Sequence, residues 1–344
     1  MAPSKDMQPL SSPFFPSIFI KNQFRTKTAW PPKDTNLTGK VAIVTGANQG
    51  LGLEACDQLL SLRLSSLIIA VRSKAKGEAA ADKLRAKYPK ASIDVFQLDM
   101  SSYDSIQAFV AQVEQLKRLD IVILNAGIRK MKRELVPSTG HEETIQVNYL
   151  STSLLSILLL PILKRKKSAE GSPGRLTIIS SGLAFAAKFR NRAAVPLLPS
   201  FDEAANFDVM DQYNNSKLLG MMFLYKLADY VSADDVVVNI VDPGFVRGTS
   251  LSRDMSAVVG AIMSVWKNIA ARPVDVGAST YVDAAVVKGK ESHGSYIMSW
   301  EINPFAPLLY TPEGKQIIER LWEETMTELS FADVQGVLDS LKRV

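Results

Sequence analysis

Short, uninterrupted runs of apolar residues alternate with helical patterns along most of the chain. Apolar runs without polar interruptions are typical of strands covered on both faces in a parallel sheet. They predict strands at Lys40–Thr45, Ser66–Val71, Ile93–Leu98, Leu119–Leu124, Leu176–Ser180, Val236–Val241 and Ser295–Ser299. The helices predicted between them span about residues 50–62, 74–87, 102–117, 142–164 and 211–231. This rhythm predicts an α/β fold, with a doubly wound parallel sheet of about seven strands and helices on both faces.

Residues 1–36 differ in pattern from the rest. Prolines stand at positions 3, 9, 13, 16, 31 and 32, which predicts an irregular arm rather than a helix. Its apolar stretch, Phe14–Ile20, contains Pro16 and is too short to span a bilayer or to form a signal core. We therefore expect an arm packed over a single domain formed by residues 37–344. Contact of the arm with a membrane surface is the alternative.

The longest apolar run is Leu154–Leu163, which ends in the basic residues 164–167. A spanning helix needs roughly 20 apolar residues, so no transmembrane segment is predicted. A helix that is apolar nearly all round is expected to be buried, in the core or at a subunit interface. The basic run mimics a nuclear-localisation signal, but it is also typical of a solvated helix end.

Composition narrows the function classes. The chain has 344 residues and a net charge of +5, which does not indicate a nucleic-acid partner. Cys56 is the only cysteine, so an intrachain disulfide is excluded and a reducing, cytoplasmic location fits. With only His141 and His293 beside it, a Cys/His zinc site cannot be built, and no metal is expected. The sequence contains neither a Gly-x-Ser-x-Gly elbow nor a Gly-x-x-x-x-Gly-Lys-Ser/Thr loop, so the common hydrolase and triphosphatase classes lose their usual support.

A glycine-rich loop, Thr45–Gly52, follows the first predicted strand directly. Gly46, Gly50 and Gly52 permit a tight turn and a close approach of the backbone to a pyrophosphate. The helix that follows offers free N–H groups and a positive dipole end to phosphates. A simple turn would explain one or two of these glycines. Their position between the first strand and the first helix predicts dinucleotide binding.

The end of the second strand predicts which dinucleotide is bound. An acidic residue there would hold the adenosine ribose of NAD, but this chain has Arg72, followed by Lys74 and Lys76. A guanidinium suits a 2′-phosphate, so NADPH is preferred over NADH. We interpret Lys74 and Lys76 as solvated helix charges.

Tyr213 and Lys217 lie four residues apart in a predicted helix and therefore share one face. The pKa of a free tyrosine is about 10. A neighbouring ammonium would lower that pKa and make the tyrosine a usable general acid and base. By itself a Tyr-x-x-x-Lys motif is common by chance.

Five motifs together resemble the classical short-chain dehydrogenase/reductase family in order and approximate spacing. They are Thr45–Gly52, Asn125-Ala-Gly127, Ser181, Tyr213-x-x-x-Lys217 and Pro243-Gly244. The resemblance runs from about Leu37 to the last predicted strand and implies a Rossmann-type sheet. The arm and Phe207–Leu224 look most like fungal members akin to retinol dehydrogenases, many of which act in secondary metabolism.

The resemblance implies a catalytic tetrad of Asn148, Ser181, Tyr213 and Lys217. Tyr213 would protonate the developing alkoxide while hydride arrives from the nicotinamide. Ser181, rather than the strand-end hydroxyl of Ser180, would hydrogen-bond the carbonyl oxygen. Lys217 would hold the nicotinamide ribose and lower the tyrosine pKa, and Asn148 would anchor a water that relays protons to Lys217.

The resemblance also implies the cofactor contacts. These are Gly46, Asn48, Gln49, Gly50, Leu51, Gly52, Arg72, Asp99, Met100, Asn125, Ala126, Gly127, Tyr213, Lys217, Pro243, Gly244 and Val246. Asn125 would support the central sheet, and Asp99 would lie near the adenine. An N-cap of the helix predicted at 102–117 is the alternative for Asp99.

The segments expected to shape the substrate pocket are rich in apolar side chains. The insert between Ser181 and Tyr213 has 31 residues and includes Phe185, Phe189, Phe201 and Phe207. Residues 245–275 resemble the family's mobile substrate lid, with Met255, Val258, Val259, Ile262, Met263 and Trp266. We expect an apolar or aromatic ketone or secondary alcohol as substrate, such as a fungal secondary metabolite. Loop and core packing are the alternative for these side chains.

Two functions of different class remain. One is an NADPH-dependent carbonyl reductase, or the reverse alcohol dehydrogenase. The other is a non-catalytic dinucleotide sensor or interaction protein on the same fold. The presence of all four tetrad residues favours the enzyme. The resemblance further implies a homo-oligomer, with residues 151–163 as a candidate interface and burial inside the monomer as their alternative.

Overall fold

The computed structural model of the protein describes residues 2–167, 172–247 and 270–342. Its strands, β1 to β8, are Val41–Thr45, Ser66–Val71, Ser92–Gln97, Ile121–Leu124, Gly174–Ile179, Val236–Asp242, Ser295–Met298 and Glu301–Asn303. Its longer helices, α1 to α8, are Gly50–Ser61, Lys74–Lys87, Tyr103–Glu114, Glu143–Lys166, Val209–Leu227, Val274–Val282, Pro312–Glu328 and Val334–Leu341. The strands and the first five helices lie close to their predicted bounds.

The strands form one sheet in the order β3-β2-β1-β4-β5-β6-β7-β8. All pairs are parallel except β7 with β8, which is antiparallel. The doubly wound α/β class is thus confirmed. Among the described strands, only the three-residue edge strand β8 was not predicted. The strand order reverses between β1 and β4. In open parallel sheets a ligand crevice forms at such a reversal, outside the carboxyl ends of the strands.

The central strands are buried on both faces. In β1, Ile43 belongs to one apolar layer and Val44 to the layer on the opposite face of the sheet, and both are fully buried. This explains why the strand sequences lack polar alternation.

The apolar helix α4 lies in the core. By length and composition it could cross a membrane, but 89% of its most apolar window is buried inside the fold. Its first residues, Glu143–Ile145, are α-helical and are followed by a π-helical turn at Gln146–Leu150. Burial inside the monomer therefore accounts for residues 151–163.

Helices α6 to α8 lack a counterpart among the predicted elements. Helix α7 begins after Thr311, whose hydroxyl accepts a hydrogen bond from the N–H of Gly314, with Pro312 in the first turn. Trp322 of α7 stacks on Phe223 of α5, with ring centroids 5.8 Å apart. This packing extends the core beyond the sheet.

The N-terminal arm lies on the main body of the fold. Ser4 is fully buried and donates a hydrogen bond from its hydroxyl to the carbonyl of Asn303 (2.5 Å). The prediction of an irregular arm is wrong for its middle part, because helical turns run from about residue 16 to residue 25, whereas Phe15 just before them has an extended backbone (φ −102°, ψ 135°). Pro16 stands near the start of this stretch, where its missing N–H has little effect on a helix.

Candidate active site

A cleft of about 480 Å³ opens outside the carboxyl ends of β1 and β4. The structure brings all 17 predicted cofactor contacts to its walls, together with Ser181. Lining residues that the sequence did not single out are Ala70, Val71, Ser73, Leu98, Ser101, Ile128, Arg129, Glu143, Val147, Ile179, Leu183, Phe245 and Tyr281.

The glycine-rich loop fits a close-lying ligand. Gly46 and Gly50 adopt positive φ angles of 66° and 59°, which favour glycine. A Cβ on Gly50 would meet no atom within 4 Å, so the loop leaves an open cradle above the start of α1. At Gly52 a Cβ would lie 2.5 Å from Nδ2 of Asn125, and the helix can approach β4 only because this side chain is missing. The loop therefore fits the pyrophosphate of a dinucleotide.

Asn125 holds the ends of β1 and β4 together. Its Nδ2 donates to the carbonyl of Thr45 (2.8 Å), and the N–H of Ala126 donates to the Thr45 hydroxyl (2.9 Å). These bonds agree with a supporting role for Asn125 at the floor of the cleft.

Two basic residues line the end of the cleft next to β2. Arg72 follows β2 and is exposed, and Lys76 lies one turn into α2. Lys76 is exposed on α2, as expected of a solvated helix charge, and it also borders the cleft. Lys74, by contrast, is not among the described lining residues.

Asp99 borders the cleft and holds the turn after β3. Its Oδ1 accepts a hydrogen bond from the N–H of Ser101 (3.0 Å). Ser102, not Asp99, caps α3, because its hydroxyl accepts from the N–H of Ser105 (3.2 Å). The alternative role of Asp99 as an N-cap is therefore wrong.

Tyr213 is buried in the inner wall of the cleft, with 6% of its surface exposed. Burial raises its pKa to about 12, although a hydrogen bond with Ser181 and the charge of Arg129 act in the lowering direction. The expected lowering of the tyrosine pKa is therefore wrong for the protein alone. Burial destabilises the phenolate by more than the Ser181 hydrogen bond and the Arg129 charge stabilise it.

Lys217 lies one helical turn beyond Tyr213. Its Nζ donates to the carbonyl of Ile179 (3.0 Å) and lies 5.7 Å from the centroid of the Tyr213 ring. Burial lowers the pKa of Lys217 to about 8. The ammonium is thus fixed between the end of β5 and the tyrosine, and it can exchange its proton near neutral pH.

Asn148 stands in the π-helical turn at the start of α4. Its Nδ2 donates to the carbonyl of Ile128 (2.8 Å) and to the Ser216 hydroxyl (3.0 Å), while Oδ1 accepts from the N–H of Ile128 (2.8 Å). A cavity of about 10 Å³ borders Asn148, Ser180, Ser216 and Lys217. This is close to the volume that one water requires. Within the described part of the chain, the buried Ser180 hydroxyl has no hydrogen-bond partner.

Asp242, which the sequence analysis missed, links two turns at the cleft. Burial raises its pKa, while hydrogen bonds from the N–H groups of Gly182 and Gly244 lower it. Since Gly182 follows Ser181 and Gly244 follows Pro243, one carboxylate fixes both turns. Its position directly before Pro243-Gly244 is the only sequence signal.

The insert does not form the expected rim with its phenylalanines. Phe189 and Phe201 are buried and stack on each other at 5.9 Å, and Phe185 stacks on Phe14 at 4.9 Å. None of the insert's four phenylalanines is among the described residues that line the cleft. Loop packing, the alternative, explains them. The lid candidates Met255, Val258, Val259, Ile262, Met263 and Trp266 lie outside the described residues.

Comparisons with known proteins agree with this geometry. A family model described as short chain dehydrogenase matches residues 40–193. The chain is 60% identical over 343 residues to the short chain dehydrogenase/reductase mfmJ of Annulohypoxylon moriforme, covering 99% of each chain. It is 47% identical to the short chain dehydrogenase virL of Hypocrea virens, covering 94% of this chain and 95% of that protein. The NADPH-dependent 3-quinuclidinone reductase of Rhodotorula rubra has a similar fold, with 21% identity, a TM-score of 0.58 and coverage of 83% and 99%.

Proposed function

The chain belongs to the short-chain dehydrogenase/reductase family of oxidoreductases, and we propose that it reduces a ketone with NADPH or catalyses the reverse alcohol oxidation. One observation carries the proposal. The hydroxyl-bearing side chains of Tyr213 and Ser181 and the ammonium of Lys217 converge on the cleft that holds the glycine-rich loop. Proton-transfer groups therefore lie next to a cradle suited to a dinucleotide.

In this mechanism Tyr213 and Ser181 act on the substrate oxygen. NADPH, when bound, supplies the hydride that forms the new C–H bond at the carbonyl carbon. The Ser181 hydroxyl orients the carbonyl oxygen and donates a hydrogen bond to it as negative charge develops. Tyr213 transfers its phenolic proton to that oxygen and is left as a phenolate. A pKa of about 12 keeps Tyr213 protonated at neutral pH, as an acid in the reductive direction must be.

Lys217 then returns a proton to Tyr213, and a water held beside Asn148 would resupply Lys217. Lys217 stabilises the phenolate by its charge, and its pKa of about 8 permits proton exchange. The small cavity between Asn148 and Lys217 supports a water-mediated relay from that side. When the cofactor is bound, Lys217 would also hold its nicotinamide ribose.

The choice of NADPH rests on charge. Arg72 and Lys76 border the cleft at the end where a 2′-phosphate would lie, and both are cations. The quinuclidinone reductase with a similar fold is also described as NADPH-dependent. NADH lacks the phosphate that these side chains would bind.

The substrate is proposed to be an apolar or aromatic ketone or secondary alcohol, in keeping with a role in fungal secondary metabolism. Leu183 and Phe245, each close in sequence to a site residue, line the cleft, as do Ile128 and Val147.

We further propose a single catalytic domain with an N-terminal arm, a cytoplasmic location and a homo-oligomeric assembly. The buried Cys56 thiol is in keeping with a reducing compartment.

The test begins with titration of the purified protein with NADPH and with NADH, followed by nicotinamide fluorescence. We expect NADPH to bind at least tenfold more tightly, roughly the effect of one charge-assisted phosphate contact. NADPH oxidation is then measured with aromatic ketones and with small polar ketones as the contrast. Equal or tighter binding of NADH would overturn the cofactor assignment, and turnover of the polar ketones alone would overturn the substrate class.

A further inference from the structure

The helical part of the N-terminal arm lies directly against the turn that follows Ser181. Phe14 is 9% exposed, and its ring is nearly parallel to that of Phe185, with an interplanar angle of 12°. A Cβ on Gly182 would lie 2.4 Å from Cζ of Phe14. The arm therefore occupies the space behind Ser181 that a larger residue at position 182 would need.

Through Gln23 the same arm also contacts the loop that follows Pro243 and Gly244. Its Nε2 donates to the carbonyls of Phe245 (2.8 Å) and Ala270 (2.6 Å), and its Oε1 accepts from the N–H of Phe245 (3.2 Å). The side-chain amide thus pairs with both backbone polar groups of Phe245, as a neighbouring strand would. Phe245 is a cleft-lining residue, and it follows the turn made by Pro243 and Gly244.

Arg272 strengthens this connection. Its buried guanidinium donates to the carbonyls of Pro243 (3.3 Å) and Asn22 and to the Ser299 hydroxyl (2.8 Å). It also packs over the ring of Trp300, 4.9 Å from the centroid. A buried cation needs its donors paired, so the arm's carbonyl at Asn22 helps to keep Arg272 under the Pro243 turn.

The contacts on the two turns are long-range. Gln23 and Phe245 are 222 positions apart in the chain. Inside the fold, the Asp242 carboxylate joins Gly182 and Gly244, while the arm covers the outside of both turns. Each turn is therefore held from two sides. At the Phe245 loop the arm acts together with Arg272, whose backbone N–H also donates to the carbonyl of Phe245 (2.8 Å).

We propose that Gln23 is a positioning residue of the active site, which sets the loop from Pro243 to Val246 against the nicotinamide end of the cofactor. The inference rests on the proposed function, which puts the nicotinamide beside Ser181 and Tyr213. Asp242 ties this loop to the turn that follows Ser181, so the loop lies at that end of the cleft. The arm is then a part of the reaction site. Displacement of a binding loop by as little as about 1 Å reduces both affinity and the reaction rate.

The test compares Gln23→Ala with Phe24→Ala in the full chain. Phe24 adjoins Gln23 on the arm but is 53% exposed, so its replacement controls for general damage to the arm. Two ligands are titrated: NADPH, and adenosine 2′,5′-bisphosphate, which carries only the adenosine half. For Gln23→Ala we expect roughly tenfold weaker NADPH binding, since up to three hydrogen bonds are lost, with bisphosphate binding unchanged. Phe24→Ala should behave as wild type for both ligands.

A second variant separates loss of the amide from loss of volume. Gln23→Glu keeps an acceptor for the N–H of Phe245 but places a carboxylate against the two carbonyls, so NADPH binding should weaken at least as much as in Gln23→Ala. The proposal is overturned if both Gln23 variants bind NADPH as wild type does, or if they weaken both ligands equally. Wild-type protein that binds the bisphosphate but not NADPH would instead overturn the proposed function, and this inference with it.

Discussion

The ammonium of Lys217 lies 5.7 Å from the centre of the Tyr213 ring, one helical turn away on the same face of α5, and donates to the carbonyl of Ile179. The carbonyl bond fixes Lys217 at the end of β5, next to Ser181 in the chain. Helix and strand therefore bring the proton-transfer groups to one point. Burial raises the pKa of Tyr213 to about 12 and lowers that of Lys217 to about 8. The tyrosine therefore holds its proton more firmly than the lysine does.

Tyr213→Phe should remove turnover and leave NADPH binding intact. The ring keeps its packing, but the proton donor is lost, and general acid catalysis contributes about 10²- to 10⁴-fold. Tyr225→Phe is a matched control on the same helix, because its hydroxyl contacts Lys315 away from the cleft. Ketone reduction and NADPH fluorescence are measured for both variants. Normal turnover by Tyr213→Phe would contradict the mechanism.

Alcohol oxidation should accelerate as the pH rises, because Tyr213 must then act as a base. Its pKa of about 12 lies above the assay range, so the deprotonated fraction grows throughout that range. The positive charge of Arg129 lowers this pKa, and Arg129→Gln should therefore raise it and slow oxidation at every pH below it. Initial rates are recorded against pH for both proteins. If the pH–rate profile of Arg129→Gln matches that of the wild type, the Arg129 charge does not affect the pKa of Tyr213.

Arg72→Ala should weaken NADPH binding by about 10- to 100-fold and leave NADH binding nearly unchanged, since a charged hydrogen bond to phosphate is lost. Lys74→Ala removes the same charge two residues away, at a position outside the described cleft lining. It therefore controls for a general change in electrostatic attraction. Equal losses in the two variants, measured by fluorescence titration, would argue against a specific contact at Arg72.

His141 should make the stability of the protein depend on pH. Burial lowers its pKa, but hydrogen bonds with Asp202 and Glu328 outweigh burial and raise it from 6.5 to about 9. Because the folded pKa lies above the unfolded one, this stabilisation is complete below about pH 6.5 and disappears as the pH rises through about 9. Glu328 also accepts a hydrogen bond from Tyr103 (3.1 Å), so the network joins the insert to α3 and α7.

Chemical unfolding at several pH values measures this contribution. His141→Gln should lower the free energy of unfolding by about 2 kcal/mol at pH 6 and by much less near pH 10. His293→Gln serves as the comparison, because burial lowers the pKa of His293 and its loss should not give this dependence. An equal loss at both pH values for His141→Gln would mean that its contribution is one of packing rather than charge.

The parallel sheet could be predicted from sequence because its strands are apolar on both faces. The segment Ser66–Val71 is an example in which the predicted and observed bounds agree. The glycine loop was equally predictable, since Gly46 and Gly50 are required by local backbone geometry. Helix α7 carries a start signal at Thr311-Pro312, so it too is predictable from local sequence.

Other parts of the site depend on contacts that have no local pattern. Gln23 lies in a proline-rich segment, and only the folded chain brings it to Phe245. The pKa of Tyr213 was misjudged because spacing places Lys217 nearby but gives no measure of how deeply both groups are buried. The composition of the insert predicts that Phe201 lines the pocket. Its packing against Phe189 instead depends on the tertiary fold, which the local sequence does not show.

The pairing of Gln23 with Phe245 also fixes when during synthesis the cleft can be completed. Gln23 emerges from the ribosome long before Phe245 and Ala270, its partners. At roughly 5–20 residues per second, the interval is on the order of 10 to 50 seconds. The glycine loop can fold early on the nascent chain, whereas the side chain of Gln23 has no partner until residues 245–270 have been made. The arm is therefore synthesised before the sheet but can take its final place only after most of the sheet has formed.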